Sequence, residues 1–318
     1  MAILNSSVVL PVEYSKEIIR GVLGKSKALE LGRRLPDMKG KTYKLNVLSS
    51  LPVAGWVKNQ ITPNDTNHEI KNKPISDLAW AGKDVVAEEI AVIVPVALNT
   101  LKDTEDFGVS VVPTISEQVV GTFQQVIDET VFFGKNSPWS GFYGLVAEAT
   151  TAGAVVTWDG NSGTSFYNAI NDAMEYVEDS GYEPTAILGG PSLKSAFRKT
   201  LTTLGVLAGD QGEIGGLPRH IDLTGGFYQS DAFAIVGDFK YLVYAFREEM
   251  EMRLLSEATL VDPATGSTLY NLAQQDMIAF RFTMRLGVAI PNPVNRVNST
   301  AKRYPFAIIL NAKEGSAS

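Results

Sequence analysis

The spacing of apolar and polar side chains changes period several times along this chain, and the changes mark its elements. Lys41 to Leu48 alternates, with Tyr43, Leu45 and Val47 on one side, as a half-buried strand requires. A polar stretch rich in Asn and Lys, Lys58 to Lys73, follows, and a second strand-like segment returns over Ala79 to Ala87. Two strands joined by a long polar tip predict a protruding hairpin. An isolated two-stranded ribbon is marginal in water, so this one requires a partner surface; a plain surface loop is the alternative. From Pro113 to Phe133 the period becomes helical. Ile115, Val119, Phe123, Val126, Ile127 and Val131 recur on one face, with Glu117, Gln124, Asp128 and Glu129 on the other. Pro113 and Thr114 start this helix and Gly134 stops it; at ~1.5 Å per residue it spans about 30 Å.

The same reading extends to the rest. Residues 1 to 10 lack a period and predict an extended arm. Pro11 to Leu23 predicts a short helix with an apolar stripe of Val12, Ile18, Ile19, Val22 and Leu23, packed on its own domain or gripping a neighbour. Val94 to Phe107 reads as a short helix with Asp103, Glu105 and Asp106 near its end. Ser165 to Ser180 and Pro191 to Thr203 read as helices, and Thr185 to Leu188, Ala232 to Val236 and Tyr241 to Phe246 as strands, with a Gly-rich loop over 205 to 219. Together they predict a compact α/β lobe. Glu249 to Leu255 and Asp276 to Ile290 alternate as strands, the second ending at Pro291-Asn292-Pro293. These late strands are expected to return to the lobe that holds the long helix.

Composition narrows the chemistry. The chain has 318 residues, no cysteine and two histidines, His68 and His220. Disulfides and thiolate chemistry are excluded, and an imidazole-rich metal site is disfavoured. A net charge of -7 argues against tight binding to nucleic acid over the whole surface, though not against lining a compartment that holds it. No apolar run reaches the length of a bilayer span, and the first charged side chain, Glu13, leaves no basic region of a signal peptide. No catalytic motif is complete. Gly24-Lys25-Ser26 lacks the upstream glycine of a phosphate loop, Ile19 standing in its place. Gly160-Asn161-Ser162-Gly163 falls one residue short of a nucleophile elbow. Gly189-Gly190-Pro191-Ser192 is explained by turn chemistry. His220 and Asp222 lack a third group, and Asp103, Glu105 and Asp106 lack the spacing of a calcium loop. No catalytic residue, cofactor or metal site is expected. A large, well-punctuated fold without active-site chemistry points to a protein whose work is its shape.

Several segments in order resemble the major capsid protein of tailed bacteriophages, with the HK97-type fold. They are Ser26-Lys27-Ala28-Leu29, Ala54-Gly55-Trp56-Val57, Ala87 to Val96, the long helix ending in Phe133-Gly134, Gly141-Phe142-Tyr143-Gly144-Leu145, and Asp276 to Pro293 with Arg285 and Pro291 as punctuation. The resemblance spans residues ~25 to 297 and implies an α+β fold. Its parts would be an N-terminal arm over 1–37, an extended β-hairpin (the E-loop) over 38–92, and a P-domain over 93–150 with the spine helix at about 113–133. An α/β A-domain would follow over 151–248, then P-domain closing strands and a C-terminal tail over 249–318. It implies self-assembly as pentamers and hexamers into an icosahedral shell around a viral double-stranded DNA genome. The protein would be synthesised in the host cytoplasm and reside in the virion. Trp56, Lys58, Lys71, Lys73, Glu88, Glu89, Glu117, Asp128 and Arg285 are the expected assembly contacts. Separate scaffolding, portal and decoration proteins are candidate partners, since no long helical pro-region precedes the arm; no membrane is expected. Some relatives cross-link a loop lysine to an asparagine with help from a buried glutamate. Asp276 and Thr283 fall at those positions here, so no covalent cross-link is expected. The alternatives are a nanocompartment shell of the encapsulin type, which generally has a shorter chain without a long arm, and a soluble α/β enzyme.

Overall fold

The computed structural model describes residues 26–54, 75–99, 101, 111–159, 163–199, 213–229, 232–299 and 302–311. Two sheets organise them. The first has four strands: β1 (Arg33–Arg34), β10 (Val243–Leu255), β13 (Met277–Ala289) and β4 (Glu88–Ala97), in that spatial order. β10, β13 and β4 run antiparallel, with Phe282 facing Met252 on one side and Val92 on the other. Along β13, Phe280, Phe282, Met284 and Leu286 turn into the core, while Arg281, Thr283 and Arg285 are only half-buried on the other face. This is the alternation read from the sequence.

The second sheet has six strands, ordered β5 (Val155–Trp158), β14 (Phe306–Asn311), β9 (Ala232–Gly237), β6 (Ala186–Gly189), β8 (Leu217–Ile221) and β7 (Glu213–Ile214). Helices α4 (Gly163–Asp179) and α5 (Ser192–Lys199) cover it. Ala186–Gly189 is buried at every position, as a central strand covered on both faces must be. The long helix α2 spans Val111–Phe133, and α3 (Leu145–Ala152) packs against it. Between them the chain turns so tightly that Gly134 and Gly144 touch. Gly134 has φ +68°, and a Cβ there would lie 1.9 Å from the Tyr143 carbonyl oxygen. No other residue type fits that crossing.

β2 (Thr42–Ser50) and β3 (Ala79–Val86) pair from Thr42↔Val86 to Ser50↔Ala79. Among the described residues, the base of this hairpin is buried, where Val85 and Ala87 meet Met38, Val243, Ala245 and Ala289. A smaller hairpin, β11 (Thr259–Val261) with β12 (Thr268–Asn271), follows β10. The short helix α1 (Lys27–Leu31) lies against α2.

Four sequence readings require correction. Val94 to Ala97 is not the start of a helix. It continues β4 and pairs with Met277 to Phe280, and because β4 is a sheet edge, Pro95 can sit in it without breaking a ladder bond. Leu217–Ile221 is a strand rather than part of a loop. The segment 298–318, read as a tail, contains β14, which is inserted between β5 and β9. β10 also runs unbroken across the expected division at 248/249, with register shifts between Phe246 and Glu251. The arm helix over 11–23, the acidic cluster at 103–106 and most of the 205–219 loop lie outside the described residues.

Candidate assembly surfaces

Beyond its base, the β2–β3 hairpin is open to solvent among the described residues. Trp80 is 62% exposed and Leu78 50%, and Tyr43 and Ala79 are also exposed. A strand pair that leaves large apolar groups in water on both faces has no internal reason to stay ordered. Its base is held by close backbone approach: a Cβ on Gly287 of β13 would lie 2.8 Å from the Val86 carbonyl oxygen.

Charges line the half-buried face of the four-stranded sheet. Arg285 stands on β13 between Glu89 on β4 and Glu248 on β10, each directly across from it in register. Its Nη1 donates to Glu248 Oε1 at 3.1 Å, and its Nε is buried without an acceptor. Glu88 lies 3.3 Å from the Lys41 ammonium, which ties the hairpin base to β4. Such partly exposed pairs contribute little stability singly, but they leave Glu89 exposed for an external cation. Glu117 is exposed on α2. Trp56, Lys58, Lys71 and Lys73 lie outside the described residues.

Asp128 is not on an outer face. It is fully buried, and its carboxylate accepts from Ser26 Oγ at 2.6 Å, Ala28 N at 3.0 Å and Lys27 N at 3.1 Å. These amides are free donors of the first turn of α1, so a side chain of the long helix caps the short one. Burial pushes this carboxyl up to about 7 against the hydrogen bonds from Ser26 and Ala28, with Asp222 adding repulsion. Asp222 is itself buried. One of its oxygens accepts from Thr224 N and Oγ1, and the other has no partner. Helical periodicity missed this arrangement because α2 is covered on two sides: α1 and the 3-10 turn Gly226–Gln229 pack over the face that the pattern marked as polar. The signal available was Ser26 before a short apolar run, a capping residue.

Among the described residues no group of three or more His, Asp or Glu side chains could hold a metal ion, and no helix is long and apolar enough to cross a membrane.

A model described as the phage capsid family matches residues 6–295. The chain belongs to the phage capsid family. Solved structures agree. A chain from Microbacterium phage Oxtober96 is 30% identical, with 90% of this chain and 91% of that one covered and a TM-score of 0.76. One from Mycobacterium phage Adephagia is 27% identical, with 90% of each chain covered and the same TM-score. The capsid of an empty GTA particle, at 12% identity, 90% coverage of both chains and a TM-score of 0.58, shares the fold alone. No match is found among curated protein sequences. The expected HK97-type α+β fold is the fold of this capsid protein, and its function is that of a major capsid shell protein built from copies of itself.

Proposed function

We propose that this capsid protein assembles as pentamers and hexamers into an icosahedral shell that encloses a double-stranded DNA genome. It is made in the host cytoplasm and resides in the virion. The observation that carries the reading is the β2–β3 hairpin, whose described residues leave large apolar groups exposed on both faces, while its anchors are the buried base and one backbone bond from Val294 N to the Leu48 carbonyl. Laid across a neighbouring copy, it buries Leu78 and Trp80, and its lysines 58, 71 and 73 meet acids of that copy. Glu88, Glu89, Glu117 and Arg285, with Trp56 in the hairpin, are the other proposed contacts; Asp128 is withdrawn from the set because it is spent inside its own protomer. Closed symmetry repeats each modest contact many times. The role is structural, with no catalytic step. DNA is retained by enclosure, without sequence-specific contacts, in keeping with a net charge of -7. Separate scaffolding, portal and decoration proteins would act on this shell.

Electron microscopy of the purified protein tests the proposal. Megadalton closed shells are expected, and particles from infected cells should hold nuclease-protected DNA. A small soluble oligomer at assembly concentration overturns it, and shells filled with an enzyme cargo move the assignment to a nanocompartment.

A further inference from the structure

The α/β lobe has an open side. β5 is the edge of the six-stranded sheet and, among the described residues, is hydrogen-bonded on one flank only, to β14. Beside it lies a groove of about 530 Å³ between β5 and α4. Val155 and Val156 form one wall, and Asp172, Glu175 and Asp179 form the other, at positions that share one face of α4. None of these three exposed carboxylates has an ion-pair or hydrogen-bond partner among the described residues.

The side of α4 away from β5 has the opposite sign. There α5, between β6 and β8 in the chain, packs on α4 and β9 and exposes Lys194, Arg198 and Lys199, again without acidic partners among the described residues. The Arg219 guanidinium of β8 lies over the Phe197 ring at 5.3 Å, which ties the end of α5 to β8. Phe166 of α4 and Phe197 of α5 meet ring to ring at 5.7 Å, so both helices cover one face of the sheet. No ion pair joins the two sets of charges within the protomer among the described residues.

Two different patches that complement each other make a head-to-tail contact, which closes into a ring when the rotation allows. We propose that the α5 side of one lobe docks on the β5 edge and acidic α4 face of the next copy, forming the ring contact within a capsomer. Lys194, Arg198 and Lys199 then face Asp172, Glu175 and Asp179, and the open edge of β5 is covered. Complementary fields of this kind set which faces meet and speed the encounter. The proposal rests on the shell reading above and specifies which surfaces build its rings.

A charge swap in the full-length protein tests it, with capsomers measured by native mass spectrometry. Glu175→Lys with Asp179→Lys, and separately Arg198→Glu with Lys199→Glu, should each lower the capsomer yield by about tenfold or more while leaving the melting temperature of the protomer unchanged. Combining the four substitutions should restore the yield to within about twofold of the unaltered chain, because the attraction is re-formed with its signs exchanged. Normal yield from either reversed variant, or no recovery in the combined one, overturns this inference and leaves the shell reading standing. An unaltered chain that never exceeds a single protomer removes both.

Discussion

At the scale of single residues, Asp128 has the most measurable consequences. Three donors of α1 converge on one carboxylate, so Asp128→Ala leaves them buried without an acceptor. The expected cost is about 3 kcal/mol, read from chemical unfolding at neutral pH. The carboxyl also titrates. Its folded value of about 7 lies above its ordinary value of 3.8. In that window the folded chain holds the proton more tightly than the unfolded chain, so this group favours folding at low pH, and the benefit is lost as pH rises through about 7. The other charged groups nearby are Lys27 and Glu30 of α1, Asp222 just after β8, His220 within β8 facing Lys27 and Glu30, and Glu129 paired with Lys135; burial holds His220 below its ordinary value. Asp128→Asn removes the titration while keeping the shape. The difference in melting temperature between the two proteins should therefore change between pH 5 and pH 8, with the unaltered chain gaining relative to the variant on the acid side. Parallel curves would mean that Asp128 does not titrate in that range.

Elements divide into those whose side-chain pattern settles them and those whose surroundings do. α2 and β13 were legible because each turns a periodic row of apolar side chains into the core, and β2 and β3 because their apolar and polar side chains alternate although neither strand has a dry face. β14 was not. Phe306-Ala307-Ile308-Ile309-Leu310 is a continuous apolar run, and a strand buried on both faces has no alternation to read. Charged positions on the hairpin base and on β13 could be named, but the cap made by Asp128 needs knowledge of what covers α2. Two predictions belong here. Deleting residues 60–72 removes the tip without touching the buried base at Val85 and Ala87, so soluble folded protomers should form that fail to close shells; normal particles in the microscope would refute this. Gly287→Val pushes a side chain into Val85 and the Val86 carbonyl, at an expected cost of about 1–3 kcal/mol, and should release the hairpin base to faster amide exchange before the rest of the sheet.

For the molecule as a whole, the two sheets are joined by strands that cross between them late in the chain. β13 lies between β10 and β4, and the chain then returns through Asn292 and Arg303 to supply β14. Along this return the Arg303 guanidinium donates to the carbonyls of Asn292 and Pro293, and Asn295 donates to the Ser180 carbonyl. Packing of this kind rigidifies the protomer, whereas covalent locking between protomers is not expected. Asp276 is exposed, with φ +48° at the entry to β13, and a carboxylate there is a poor acceptor for an isopeptide bond. Mature particles boiled in detergent should run as a single band near 34.4 kDa on a denaturing gel, and a ladder of multiples would contradict this.

The position of β14 has an effect in time as well as in space. A sheet whose second strand is supplied by residues 306–311 cannot be completed while those residues remain within the ribosome. A chain without those residues leaves β5 with no hydrogen-bonded neighbour among the described strands and β9 with one flank open. One short segment thus acts as the keystone of the lobe, and its loss should undo the sheet before any surface residue is changed.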